Sequence, residues 1–178
     1  MSTTALLIID MQKAMFADES EQPYRGREVL ANNQRLLEAA RKTNLPVIFV
    51  QHTLEAGKFQ KGSPTWEICS EITPLPTEYV VEKSKRDSFY KTGLHELLQK
   101  LGIDSLIITG MQTERCVDTT CRRAVSLDYH CVLVSDAHST FDTEVLPAER
   151  IVAHHNDVLS GVLELKTTQD VIGEMEGM

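Results

Sequence analysis

The chain of 178 residues is 42 % hydrophobic and carries 18 Lys and Arg against 26 Asp and Glu, a net charge of −8. That length suits a single domain over residues 1–178 with a sizeable core. The acidic balance, with no basic cluster to offset it, argues against a nucleic-acid or anionic-membrane partner.

Ala5–Ile9 reads as a short buried strand ending at Asp10. Nothing before it has the charged and then apolar layout of a leader, and no apolar run approaches the about 18 residues of a membrane span, so a soluble cytoplasmic protein is expected. After a polar loop holding Pro23 and Gly26, Glu28–Lys42 places Val29, Leu36, Leu37 and Ala40 at helical spacing. Pro46–Gln51 is a second strand. Leu54–Pro76 is loop-like, broken by Gly57, Gly62, Pro64, Pro74 and Pro76, with a short helix placed around Trp66–Cys69.

Tyr79–Glu82 is the third strand, running into Lys83, and Leu94–Leu101 a helix. Leu106–Thr109 is the fourth strand, closed by Gly110 and followed by a helix over Thr113–Leu127. Cys131–Ser135 is the fifth strand, Pro147–Leu159 a helix with proline in its first turn, Val162–Leu165 a sixth strand and Thr168–Met175 a last helix. Strands alternating with helices predict an α/β fold: a doubly wound, Rossmann-like, mostly parallel six-stranded sheet with helices on both faces.

In such a sheet the carboxyl ends of the strands share one edge, where open α/β folds bind ligands. Asp10 ends the first strand, Lys83 follows the third and Cys116 follows the fourth. A cysteine at a strand-to-helix turn meets unpaired N–H groups and the positive end of the helix dipole, which favour a thiolate. A carboxylate can take the thiol proton, and an ammonium can hold the thiolate. Each residue alone has a plainer reading: a small buried thiol, a loop aspartate, a solvated lysine. Their convergence on one edge favours a site. None of the four cysteines (Cys69, Cys116, Cys121, Cys131) has metal-site or disulfide-framework spacing, which suits reduced thiols.

Three segments, in this order, carry a family resemblance: Leu7-Ile8-Ile9-Asp10-Met11-Gln12, then Val80-Val81-Glu82-Lys83 with Phe89 and Thr92 beyond it, then Gly110-Met111-Gln112-Thr113-Glu114-Arg115-Cys116-Val117. Asp136-Ala137 after the fifth strand fits as well. From Ala5 to about Leu165 the chain resembles the isochorismatase-like cysteine hydrolases, a family that includes nicotinamidases, N-carbamoylsarcosine amidases and isochorismatases. The resemblance implies a triad of Asp10, Lys83 and Cys116; the spacing to Phe89 selects Lys83 over Lys85. It also implies a cis peptide between Met111 and Gln112, with the N–H groups of Gln112 and Cys116 as an oxyanion hole. The implied chemistry is hydrolysis of a small amide or carbamoyl compound through a thioester, in a homodimer or homotetramer.

Nicotinamidases of that family bind a metal through Asp-x-His and a further histidine. Here the corresponding residues are Val50-Gln51-His52, and no histidine lies between His52 and His95, so neither a metal nor another cofactor is expected. His154 and His155, adjacent on a helix, face different ways. The substrate pocket is assigned to Phe16, His52, Trp66, Tyr90 and His138, with a loop hydrogen bond as the plainer role for His138 and core packing for Phe89. The loop Thr53–Pro76 is expected to set specificity and to be shared with a neighbouring subunit. Two other readings stay open. One is a vinyl ether hydrolase of the isochorismatase type, against which Cys116 counts. The other is a non-catalytic or thiol-redox protein, for which Cys121 is an awkwardly placed resolving cysteine.

Overall fold

Along the first strand Ala5, Leu7 and Ile9 are buried in one hydrophobic cluster and Leu6 and Ile8 in another, because alternate side chains leave opposite faces of a sheet. The two clusters are the two cores of a three-layer protein, seen in a computed structural model that describes residues 3–177.

Six strands, β1 (Thr4–Ile9), β2 (Val47–His52), β3 (Tyr79–Lys83), β4 (Ser105–Met111), β5 (His130–Ser139) and β6 (Glu164–Lys166), form one sheet in the order β3-β2-β1-β4-β5-β6. Every pairing between them is parallel. This is the strand order of doubly wound folds, with the reversal of direction at β1 and β4. Among the described residues five α-helices lie between and after the strands: α1 (Gly26–Lys42), α2 (Leu94–Lys100), α3 (Asp118–Ser126), α4 (Ala148–Ser160) and α5 (Thr168–Glu176). Leu36 and Leu37 of α1 and Val171 and Met175 of α5 bury against one face of the sheet. Leu94 and Leu98 of α2, Cys121 and Ala124 of α3 and Leu159 of α4 bury against the other. None of the described helices is long and apolar enough to cross a membrane.

Three features differ from the sequence reading. Trp66–Cys69 is not helical: Lys13 and Ala14 donate to the carbonyls of Glu67 and Thr65, and the Cys69 N–H donates to that of Met11. That stretch therefore spends its backbone groups on the loop after β1, and Gln12 and Ile68 form an antiparallel bridge. The edge strand β3 is not covered on both faces, since Tyr79 and Val80 are 37 % and 45 % exposed. Finally, β5 runs past Ser135 to Ser139, with a register shift opposite Ile108–Gly110 that brings Gly110 beside His138.

Gly110 is where β1 and β4 approach too closely for a side chain. Its φ is +123°, and a Cβ there would stand 2.0 Å from the Ile9 carbonyl oxygen. A buried polar network ties the same strand to α1: Thr109 Oγ1 donates to Asn33 Oδ1 at 2.6 Å, and Asn33 Nδ2 donates to the carbonyls of Val29 and Ala137.

Candidate active site

Register places the ends of β1, β2 and β3 side by side: Ile9 pairs with Val50, and His52 pairs with Lys83. Asp10 follows in the left-handed region, φ 51°, which Asp tolerates better than most residues and which ends the strand sharply. Lys83 is the last residue of β3 and its side chain is wholly buried. Its Nζ donates to Asp10 Oδ2 at 2.7 Å and to the Lys85 carbonyl at 3.1 Å, and lies 3.4 Å from His52 Nδ1. Lys85 itself is exposed, and its carbonyl is what accepts from Lys83. The other Asp10 oxygen, Oδ1, is buried without a hydrogen-bond partner among the described residues.

Cys116 arrives from the far side of β1. The peptide between Met111 and Gln112 is cis, and Thr113–Val117 then makes one wide π-helical turn before α3 begins. In that turn the Val117 N–H donates to the Gln112 carbonyl at 3.2 Å. Such turns are rare in helices and recur at functional sites. The Cys116 side chain joins Asp10 and Lys83, both of which act on its thiol. Burial and, after it, the Asp10 carboxylate push the thiol up to about 12, and the Lys83 ammonium offsets only part of this. The helix terminus read from sequence favours a thiolate, and desolvation opposes it.

A cavity of about 330 Å³ opens over these groups, lined by Asp10, Met15, His52, Phe59, Ser84, Lys85, Arg86, Gln112, Arg115 and Cys116. His52 packs edge-on against Phe59, with ring centroids 5.2 Å apart. Burial, and then the nearby Lys83, lower the His52 pKa. Of the five residues assigned to the pocket from sequence, His52 lines this cavity and the other four lie outside it. Phe16 lines a separate hollow with Gln22 and Arg25. Trp66 anchors the long loop, its Nε1 donating to Thr53 Oγ1 and its carbonyl accepting from Gln12 and Gln51. Tyr90 is 48 % exposed beside Lys91. His138 is buried, bonded to Thr113 and Asn156.

The sequence reading passed over Met15, Phe59, Ser84, Arg86 and Arg115. Arg115 was findable as the neighbour of Cys116, and Ser84 and Arg86 as the residues flanking Lys85. Phe59 enters from the irregular loop, where no periodicity marks it. Gln12 is a clamp: its Nε2 donates to the carbonyls of His52 and Trp66, and its Oε1 accepts from the His52 N–H. Asp136 does not reach the cavity; its Oδ1 accepts from the N–H and hydroxyl of Thr168 at the start of α5. Among the described residues no cluster of three or more His, Cys, Asp or Glu side chains is placed to hold a metal ion.

The isochorismatase domain family matches residues 4–150. A streptothricin hydrolase of Streptomyces noursei is 35 % identical over 144 residues, covering 80 % of this chain and 52 % of that protein, so the match spans about half of the relative's length. The ureidoacrylate amidohydrolase RutB of Variovorax paradoxus is 28 % identical over 172 residues, covering 76 % of this chain and 68 % of that protein. An isochorismatase from Pseudomonas putida, known from its crystal structure, superposes with a TM-score of 0.88 at 34 % identity, covering 94 % of this chain and 89 % of the other.

Proposed function

The chain belongs to the isochorismatase family, and from that premise we propose that it is a cysteine-dependent hydrolase of a small amide or carbamoyl compound that works through a thioester on Cys116. The observation that carries the reading is the geometry of one buried cluster. Lys83 Nζ pairs with Asp10 Oδ2 at 2.7 Å, Asp10 Oδ1 stands without a hydrogen-bond partner among the described residues, and burial favours the neutral form of the Cys116 thiol beside them. A neutral thiol is a weak nucleophile, so the proton has to leave as the carbon is attacked. The unpartnered carboxylate oxygen is the base that receives it.

The steps then balance within the site. Asp10 takes the Sγ proton, and the sulfur attacks the carbonyl carbon of the substrate. The resulting oxyanion is held by the N–H groups of Gln112 and Cys116, two residues that line the same cavity. The carbon–nitrogen bond breaks as Asp10 returns the proton to the departing ammonia or amine. A water molecule next attacks the thioester, giving its proton to Asp10, and the acid product leaves as that proton returns to the sulfur. Lys83, 2.7 Å from Asp10, holds the carboxylate in place and steadies the thiolate as it forms. The relatives named above include a ureidoacrylate amidohydrolase, which supports carbon–nitrogen bond cleavage as the reaction class.

Screening small primary amides, carbamoyl compounds and ureides for ammonia release tests the reading. Wild-type protein is expected to release ammonia from at least one of them, and Cys116→Ala to lose that activity by on the order of 10⁴ or more while keeping its circular dichroism spectrum. Turnover in Cys116→Ala within tenfold of wild type, or release from none of the compounds, overturns it.

A further inference from the structure

His138 is a buried, titratable side chain that the reaction above leaves unused. It sits near the end of β5, opposite Gly110, with 2 % of its surface exposed. It makes two hydrogen bonds in a chain of three. Asn156 Nδ2 of α4 donates to the Ser135 carbonyl at 3.1 Å. Asn156 Oδ1 lies 2.9 Å from His138 Nε2, and His138 Nδ1 lies 2.9 Å from Thr113 Oγ1.

The direction of this chain is fixed at its far end. A backbone carbonyl only accepts, so the Asn156 amide nitrogen faces Ser135 and its oxygen faces the imidazole. His138 Nε2 must then carry the hydrogen. Burial lowers the His138 pKa to about 4, so the ring is neutral at ordinary pH and Nδ1 is bare. Thr113 therefore donates its hydroxyl proton to Nδ1, and every bond points from the Thr113 hydroxyl toward Ser135. Thr113 opens the π-helical turn that carries Cys116, and it directly follows Gln112. It is also fully buried. The imidazole bridges Asn156 of α4 and Thr113, the first residue of the nucleophile's turn.

We propose that His138 is a positioning residue: through the Thr113 hydroxyl it holds the turn that sets the Cys116 sulfur against Asp10 and aims the Gln112 and Cys116 N–H groups into the cavity. The proposal rests on the cysteine-hydrolase reading for its catalytic consequence, but its geometric content concerns Cys116 alone. The sulfur's reactivity depends on its alignment with Asp10 Oδ1, and that alignment is fixed by where the turn starts. A side chain that only fills space at residue 138 keeps the fold without holding the turn.

The test compares wild type with His138→Leu, His138→Asn, Thr113→Val and the double variant His138→Leu/Thr113→Val. The first readout is the rate at which iodoacetamide alkylates Cys116, resolved from the other thiols by peptide mass spectrometry. The second is kcat and KM on whichever amide the wild type hydrolyses. His138→Leu and Thr113→Val are each expected to slow Cys116 alkylation and kcat by about tenfold or more, with KM within about threefold. The double variant should be no worse than either single one, because both break the same bond. His138→Asn places an amide oxygen near the Nδ1 position and should recover much of the loss. Additive losses in the double variant, a change in KM alone, or alkylation of folded His138→Leu within threefold of wild type overturns the proposal. A wild type that releases ammonia from no amide refutes the hydrolase reading instead, and the alkylation rates still decide the role of His138.

Discussion

Lys83 Nζ and Asp10 Oδ2 meet at 2.7 Å with their side chains 0 % and 1 % exposed. Burying two charges costs more than their attraction returns unless they are closely paired. Lys83→Met leaves an unpaired carboxylate in the interior and should destabilise the fold by about 3–5 kcal/mol. Replacing both partners, in Asp10→Leu/Lys83→Met, should recover most of that stability and none of the activity. Urea denaturation of the two variants checks this. A double variant as unstable as Lys83→Met would mean that the pair stabilises the fold in itself.

Gln12 links the end of β2 to the long loop through the backbone of His52 and Trp66. Gln12→Leu should cost about 1–3 kcal/mol, because it leaves the buried backbone groups it served without partners. It should also free the loop of residues 53–76. Limited proteolysis reads the effect directly, as faster cleavage within that segment. Unchanged resistance there would show that the backbone pairing of Glu67 and Cys69 with the β1 loop suffices.

Stability should fall on both sides of a neutral plateau. Burial lowers His138 from 6.5 to about 4, so the unfolded chain binds the proton first. That contribution is full above pH 6.5 and is lost as pH falls toward about 4. Cys69, Cys116 and Cys131 are each pushed up by burial from 9.0 to about 12, so the unfolded chain releases protons first. Their contribution is full below pH 9.0 and is lost as pH rises toward about 12. Urea midpoints across pH should show both limbs, with the acid limb shallower in His138→Asn and the alkaline limb unaltered. An acid limb identical in that variant would place the titration elsewhere.

The sheet and three of its strand ends were legible because short apolar runs stop at residues of a different kind: Ile9 before Asp10, Val81-Glu82 before Lys83, Thr109 before Gly110. The alternation of strands and helices placed Asp10, Lys83 and Cys116 on one edge, and the structure brings them together. The pocket wall was not legible, because it depends on pairing between distant backbone segments. Trp66 anchors a loop whose hydrogen bonds go to residues 11–14, and Phe59 enters from the same loop with no pattern to mark it. His138 looked like a cleft residue by position, but its partners are Thr113 and Asn156, and nothing local announces that contact. The burial that raises the Cys116 thiol pKa was also hidden, whereas the helix terminus that favours a thiolate is visible in sequence.

The central claim is that Cys116 becomes acylated. The direct measurement is intact-protein and peptide mass spectrometry after rapid acid quench of a reaction with a hydrolysed amide. The account predicts an added acyl mass on Cys116 that forms and decays with turnover, and its absence in Cys116→Ala. Turnover with Cys116 unmodified throughout, or a reversible Cys116–Cys121 disulfide in place of the adduct, would contradict it.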